Sequence, residues 1–234
     1  MSQTPPPPPP PAAPPPPPAG PSPGGASNAP FSVGDAVGYG WNAYWKNVGP
    51  MILIVLAIWA VNLVFSLISL PFDNQFVRFF ISLVGTVVSL LLALGLIRAT
   101  LALTRGETPE VSMLFETDNF GPYLVAAILF GIGTVIGFVL CIIPGIIFLT
   151  FFGFYGFVIV DQDEKSPIAA LTRSKDLVSG HFGAVLGLAV VLLLINIVGA
   201  LLCGVGLLFT IGITAIAWAY AYRALSGQSV APVQ

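Results

Sequence analysis

Apolar residues recur along this chain in two different ways. Long runs of Leu, Ile, Val, Phe and Ala with almost no charge alternate with short stretches in which apolar positions return every three or four residues. The long runs are Pro50 to Leu70, Phe79 to Leu103, Tyr123 to Ile143, Gly145 to Val160, one that follows His181, and Leu207 to Leu225. Each approaches or reaches the ~20 residues that a helix needs to cross a hydrocarbon layer about 30 Å thick. In such a layer every backbone N–H and C=O has to be satisfied within the protein, so the runs predict helices paired as hairpins. Turns are expected at Pro71-Phe72-Asp73-Asn74, at Pro144 and near Cys203-Gly204-Val205-Gly206.

The short stretches precede the hairpins. Ser32 with Asp35 forms a capping box, followed by Val33, Val37, Trp41 and Tyr44 at helical spacing. Gly34, Gly38 and Gly40 weaken that helix by about 1 kcal/mol each, and its aromatic residues suit the headgroup layer. Thr108-Pro109-Glu110 caps a second stretch with Val111, Met113, Leu114 and Phe115. Ser166-Pro167 opens a third, running to Val178. It places Ile168, Leu171 and Val178 on one side and Arg173, Lys175, Asp176 and Ser179 elsewhere, the spacing of a helix on a membrane surface or in a protein groove. A similar junction closes all three stretches: Asn47-Val48-Gly49-Pro50, Asn119-Phe120-Gly121-Pro122 and His181-Phe182-Gly183-Ala184.

The fold class expected is therefore an all-α polytopic membrane protein, six transmembrane helices as three hairpins, each preceded by an interfacial amphipathic helix. Three approximate repeats, 31–104, 105–163 and 164–226, make one domain over 31–226. Residues 1–30 hold fifteen of the 22 prolines and read as a disordered tail, either a spacer or a docking strip. Residues 227–234 read as a short polar tail. Under this topology seven of the eight basic residues fall on one side and only Arg78 on the other, which predicts cytoplasmic termini and a multi-pass protein of a bacterial cell membrane.

Composition agrees and excludes other classes. The chain is 56% hydrophobic and 8% charged, against about 25% charged residues in globular domains. No basic, aromatic-interleaved patch points to nucleic acid, and one histidine with two distant cysteines forms no familiar zinc pattern. No cofactor is expected. The N-terminus shows no removable leader, so the first helix is expected to direct insertion.

Asn62 and Asn196 are the candidate intramembrane polar residues. They either join neighbouring helices or line a path for a solute. Small residues four apart, such as Gly133 and Gly137 or Gly95 and Ala99, allow close helix approach. Cys141 and Cys203 stand at equivalent repeat positions, as a disulfide or as two small apolar side chains. Asp161, Asp163 and Glu164 read as a solvated loop, and His181 has no catalytic partner nearby. Arg173 and Lys175 are the candidate headgroup contacts.

The run Ile143-Pro144-Gly145-Ile146-Ile147, then Phe154 to Val160, then Pro167 to Phe182, resembles bacterial six-span proteins labelled as glycerophosphodiester phosphodiesterase membrane-domain proteins. The proline-rich tail is similar to actinobacterial examples. A phosphodiesterase of that name would add a soluble barrel of about 250 residues, so the resemblance implies a membrane module and supplies no catalytic residue. The function expected is a non-catalytic accessory or scaffold protein that engages membrane lipids and other membrane proteins. The alternative is a transporter or channel for a small or amphipathic solute.

Overall fold

A computed structural model describes residues 31–202 and 204–233. The proline-rich tail and Cys203 lie outside the described residues, and with them the docking-strip and disulfide expectations. Among the described residues all regular structure is helical: α1 Val33–Lys46, α2 Val48–Ser69, α3 Gln75–Arg105, a 3₁₀ turn Val111–Phe115, α4 Phe120–Leu140, α5 Ile142–Phe152, α6 Tyr155–Gln162, α7 Pro167–Val178, α8 Phe182–Leu201 and α9 Val205–Leu225. Six helices are long and apolar enough to cross a membrane, α5 and α6 together counting as one.

Local chemistry explains the boundaries. The Ser32 hydroxyl accepts from the Asp35 amide at 3.0 Å and starts α1. Ser166 does the same for α7 through Ala169, with Pro167 at its first position. Asn74 caps α3 by accepting from Phe76 N–H at 2.8 Å, and Gly106, at φ +86°, ends it in the left-handed conformation that glycine adopts without strain. The junction residues Asn47, Asn119 and His181 are the N-caps of α2, α4 and α8.

Each hairpin closes on a near approach of its two helices. A Cβ on Gly85 would lie 3.2 Å from the Phe65 ring, one on Gly137 2.9 Å from Gly145 Cα, and one on Gly206 2.5 Å from Gly199 O. Small residues at these crossings permit the van der Waals contact that holds helices together where water supplies no driving force. Between hairpins the packing gathers at the end away from the turns. There Phe154, Ile159, Leu188, Leu192 and Tyr222 share one core, and Tyr44, Met51, Ile54, Leu92, Leu114 and Ile213 another. Toward the turns the helices present their apolar side chains outward, as with Phe76, Val139 and Leu201 at 77–81% exposure. We call the packed end the base.

Two expectations need correction, and the inward faces of two helices become definite. The second turn falls at Cys141, whose extended backbone separates α4 from α5, not at Pro144. That proline stands in the first turn of α5, where no intrahelical N–H bond is lost. The middle amphipathic element is a 3₁₀ turn rather than an α-helix. It tucks against α3 where Gly95 has no side chain, since a Cβ there would sit 2.4 Å from Leu114 Cα. In α1 the buried positions are Ala36, Gly40, Ala43 and Tyr44, while Trp41 is 53% exposed. Gly40 lies flat on α9, its missing Cβ position only 2.7 Å from Ile213 O, so its cost in helix propensity is the condition for close contact. In α7 the inward side is Ala170, Ser174 and Val178, and Ile168 points away at 69% exposure.

Candidate functional site

The fourth span is broken between α5 and α6 at Gly153 and Phe154. A break inside an apolar bundle strands one carbonyl and one N–H, which have to find partners. Ser174, fully buried on α7, supplies both: its hydroxyl donates to Phe151 O at 2.9 Å and accepts from Phe154 N–H at 3.0 Å. One side chain of the surface helix therefore pins the kink. Around it Phe154 meets Trp218 with ring centres 5.2 Å apart, and Phe157 stacks on Tyr222 at 5.5 Å.

Asp161, at the end of α6, is the centre of the base. Its carboxylate, 6% exposed, accepts from Arg105 at 2.6 Å, from Gln228 at 2.6 Å and from the Tyr222 hydroxyl at 3.1 Å. These bonds join α3, α6, α9 and the C-terminal segment. The segment is then strapped across α3 by Ala231 N–H to Thr104 O at 2.9 Å. Arg223 to Ser229 O and Lys46 to Val233 O add further ties. The short polar tail read from sequence is thus a docked strap. Nearby, hydrogen bonds from Lys165 and Asn119 hold the Asp163 carboxyl below its ordinary pKa.

Asn62 and Asn196 are not brought together. Asn62 donates to Ile58 O at 2.8 Å and accepts from Ser89 at 2.9 Å, bridging α2 and α3. Asn196 donates to Leu192 O and to Thr214, both at 2.8 Å, bridging α8 and α9. Each closes its own hairpin. Arg173 is engaged inside the chain, with Glu164 at 3.5 Å and with Gln162, whereas Lys175 is exposed. Arg98 likewise bonds within the chain, to Glu116 O at 2.5 Å and to Asp118 O.

Two of the cavities among the spans differ in character. One, of about 580 Å³, is lined by Ile97, Phe130, Leu149, Leu193 and Trp218. Its two hydroxyls, on Thr100 and Thr150, are bound to carbonyls of their own helices. The other, a polar groove of about 910 Å³, runs between α2 and α3 toward their turn. Among the described residues no group of three or more His, Cys, Asp or Glu side chains is placed to hold a metal ion.

Sequence reading missed Ser174, the strap and the groove. For Ser174 the available signal was its place at i+4 from Ala170 and i−4 from Val178, on the helix face that packs inward. For the groove it was the return of Arg78, Ser82, Thr86 and Ser89 at intervals of three and four.

A family model described as "Domain of unknown function (DUF7847)" matches residues 62–233. "Uncharacterized protein Rv2560" of Mycobacterium tuberculosis is 31% identical over 246 aligned positions, covering 90% of this chain and 75% of the relative. "Uncharacterized protein Mb2590" of Mycobacterium bovis shows the same identity and coverage. No solved structure matches the chain. Neither the family description nor these names carries the glycerophosphodiester phosphodiesterase label that the resemblance suggested.

Proposed function

Because the chain belongs to the DUF7847 family, a family of unknown function, we propose its role from geometry: a non-catalytic membrane accessory protein that engages lipids or a larger membrane complex through its base. One observation carries this reading. At the base, α7 buries Ala170, Ser174 and Val178 while leaving Ile168 and Lys175 outward, an apolar and a cationic contact that the other described residues do not use. A helix edge of that kind suits an anionic surface, where each basic side chain contributes about 1 kcal/mol.

In this proposal the base and both termini face the cytoplasm of a bacterial cell, and the protein is a relative of the phosphodiesterase membrane modules it resembles. The three-unit repeat belongs to the same reading. Phe65, Gly137 and Gly199, the crossing residues, each stand 18 positions beyond Asn47, Asn119 and His181. The transporter alternative would need Asn62 and Asn196 on one path, and their bonds within separate hairpins favour the accessory role.

Affinity purification of the full chain at native expression, in mild detergent, tests the proposal. Reproducible copurification of specific membrane proteins, reduced by Lys175→Glu, is the expected result. Recovery of the protein alone, together with solute flux in proteoliposomes that Asn196→Leu abolishes, would replace it with the transport reading.

A further inference from the structure

The groove between α2 and α3 is out of keeping with the helices that form it. Both are apolar enough to span a membrane, yet Ser66, Ser69, Ser82 and Thr86 line a space of about 910 Å³ between them. Its inner limit is the Ser89–Asn62 hydrogen bond and the contact of Phe65 with Gly85. At the turn it is flanked by Asp73 and Arg78. Among the described residues neither of these forms an ion pair, with each other or elsewhere, while Arg98, Arg105, Lys165 and Arg173 all do. Polar and charged groups left facing hydrocarbon are costly. The arrangement calls for an occupant that is polar inside the groove and apolar outside it.

We infer that this groove binds the headgroup of a zwitterionic phospholipid carrying a primary ammonium, with the Arg78 guanidinium on its phosphate and the Asp73 carboxylate on its ammonium. Inward of the charges, at the place of the glycerol and ester oxygens, lie the hydroxyls of Ser66 and Ser82, while those of Ser69 and Thr86 donate to Ser66 O and Ser82 O of their own helices. Phe65, Phe79 and Ile81 line the same groove, and Phe76 and Phe80, 77% and 61% exposed, stand beside it, so the acyl chains lie along apolar surface. An anionic lipid would satisfy Arg78 and leave Asp73 unmatched. A second copy presenting the same groove would set a hollow against a hollow. Helix faces associate by placing ridges in grooves at 8–10 Å between axes, and serine and threonine are too short to fill that doubled space. This site stands apart from the base and does not depend on the role proposed for it.

The test uses the full chain extracted in mild detergent from membranes containing phosphatidylethanolamine and phosphatidylglycerol, with retained lipid identified by native mass spectrometry. Wild type is expected to keep phosphatidylethanolamine in preference. Arg78→Gln and Asp73→Asn should each lower that retention about tenfold, the loss expected for one charge-assisted contact. Asp73→Asn should also move what remains toward phosphatidylglycerol. Titration of wild type reconstituted in nanodiscs of either lipid gives a second readout that needs no variant. Equal retention of the two lipids, or retention indifferent to both substitutions, overturns the inference. Efficient Ser82→Cys crosslinking between copies in a Cys141→Ala, Cys203→Ala background overturns it too, and assigns the groove to self-association.

Discussion

Replacing Ser174 by alanine removes one oxygen atom and two hydrogen bonds, at 2.9 and 3.0 Å, from a site with no exposure. The cavity created is small, so the cost comes from Phe151 C=O and Phe154 N–H left without partners. An orphaned buried polar group costs about 1–3 kcal/mol. The chain can escape part of this by continuing α5 straight, with Phe154 N–H returning to Thr150 O as in an unbroken helix. That would swing α6 and separate Phe157 from Tyr222 and Phe154 from Trp218. By either route Ser174→Ala is expected to destabilise the protein by about 2–4 kcal/mol, or roughly 30- to 700-fold in the folded-to-unfolded ratio. Reversible unfolding in bicelles measures the change, with hydrogen exchange at Phe154 as the local readout. Ser179→Ala is the control, because that hydroxyl only bonds back to Lys175 O on an exposed turn. A Ser174→Ala variant within about 0.5 kcal/mol of wild type, the range of ordinary surface substitutions, would refute the role given to this hydroxyl.

Gly40→Leu should lift α1 from α9 at a cost of about 1–3 kcal/mol, seen as new reactivity of a cysteine placed at the buried Ala36; an unreactive Ala36→Cys would show that α1 stays docked. Asp161→Asn should release the C-terminal strap and cost about 1–2 kcal/mol, below the figure for a fully buried pair because Arg105 is 39% exposed. Faster exchange of the Ala231 amide is the measurement, and unchanged protection there counts against the network. Gly95→Leu should displace the Val111–Phe115 turn, moving Leu114 from buried to exposed in a labelling experiment on Leu114→Cys; equal labelling with and without the substitution would mean the turn tolerates the bulk.

The six spans and their pairing were legible because bilayer thickness sets helix length and the charges fall between the runs. The capped starts of α1 and α7 were legible too, since Ser32 and Ser166 act through neighbours three residues away. What sequence left hidden depends on distant partners. Nothing local to Gly153-Phe154 marks a break, because the hydroxyl that stabilises it lies 20 residues further on. Aromatic residues at helical spacing placed Trp41 in the headgroup layer, but that Gly40 and Ala43 face inward follows only from the approach of α9. Ile168 was grouped with Leu171 and Val178 on one apolar side, but α7 meets the bundle through smaller residues and leaves Ile168 outward. Asn62 and Asn196 were visible as polar groups within apolar runs; that each serves its own hairpin follows only from the register of the adjoining helix.

The way the hairpins meet bears on how the chain is made. Asn62 with Ser89, and Asn196 with Thr214, are partnered as soon as the two helices of their own pair exist. A newly synthesised pair could thus leave the insertion machinery and enter lipid without waiting for the next. Asp161 has no such independence: two of its three bonds come from Tyr222 and Gln228, more than sixty residues downstream. Assembly of the three pairs into one body is thereby deferred until Tyr222 and Gln228 have been made, and a nascent chain halted before Tyr222 should sit inserted in the bilayer with its pairs still adrift from one another.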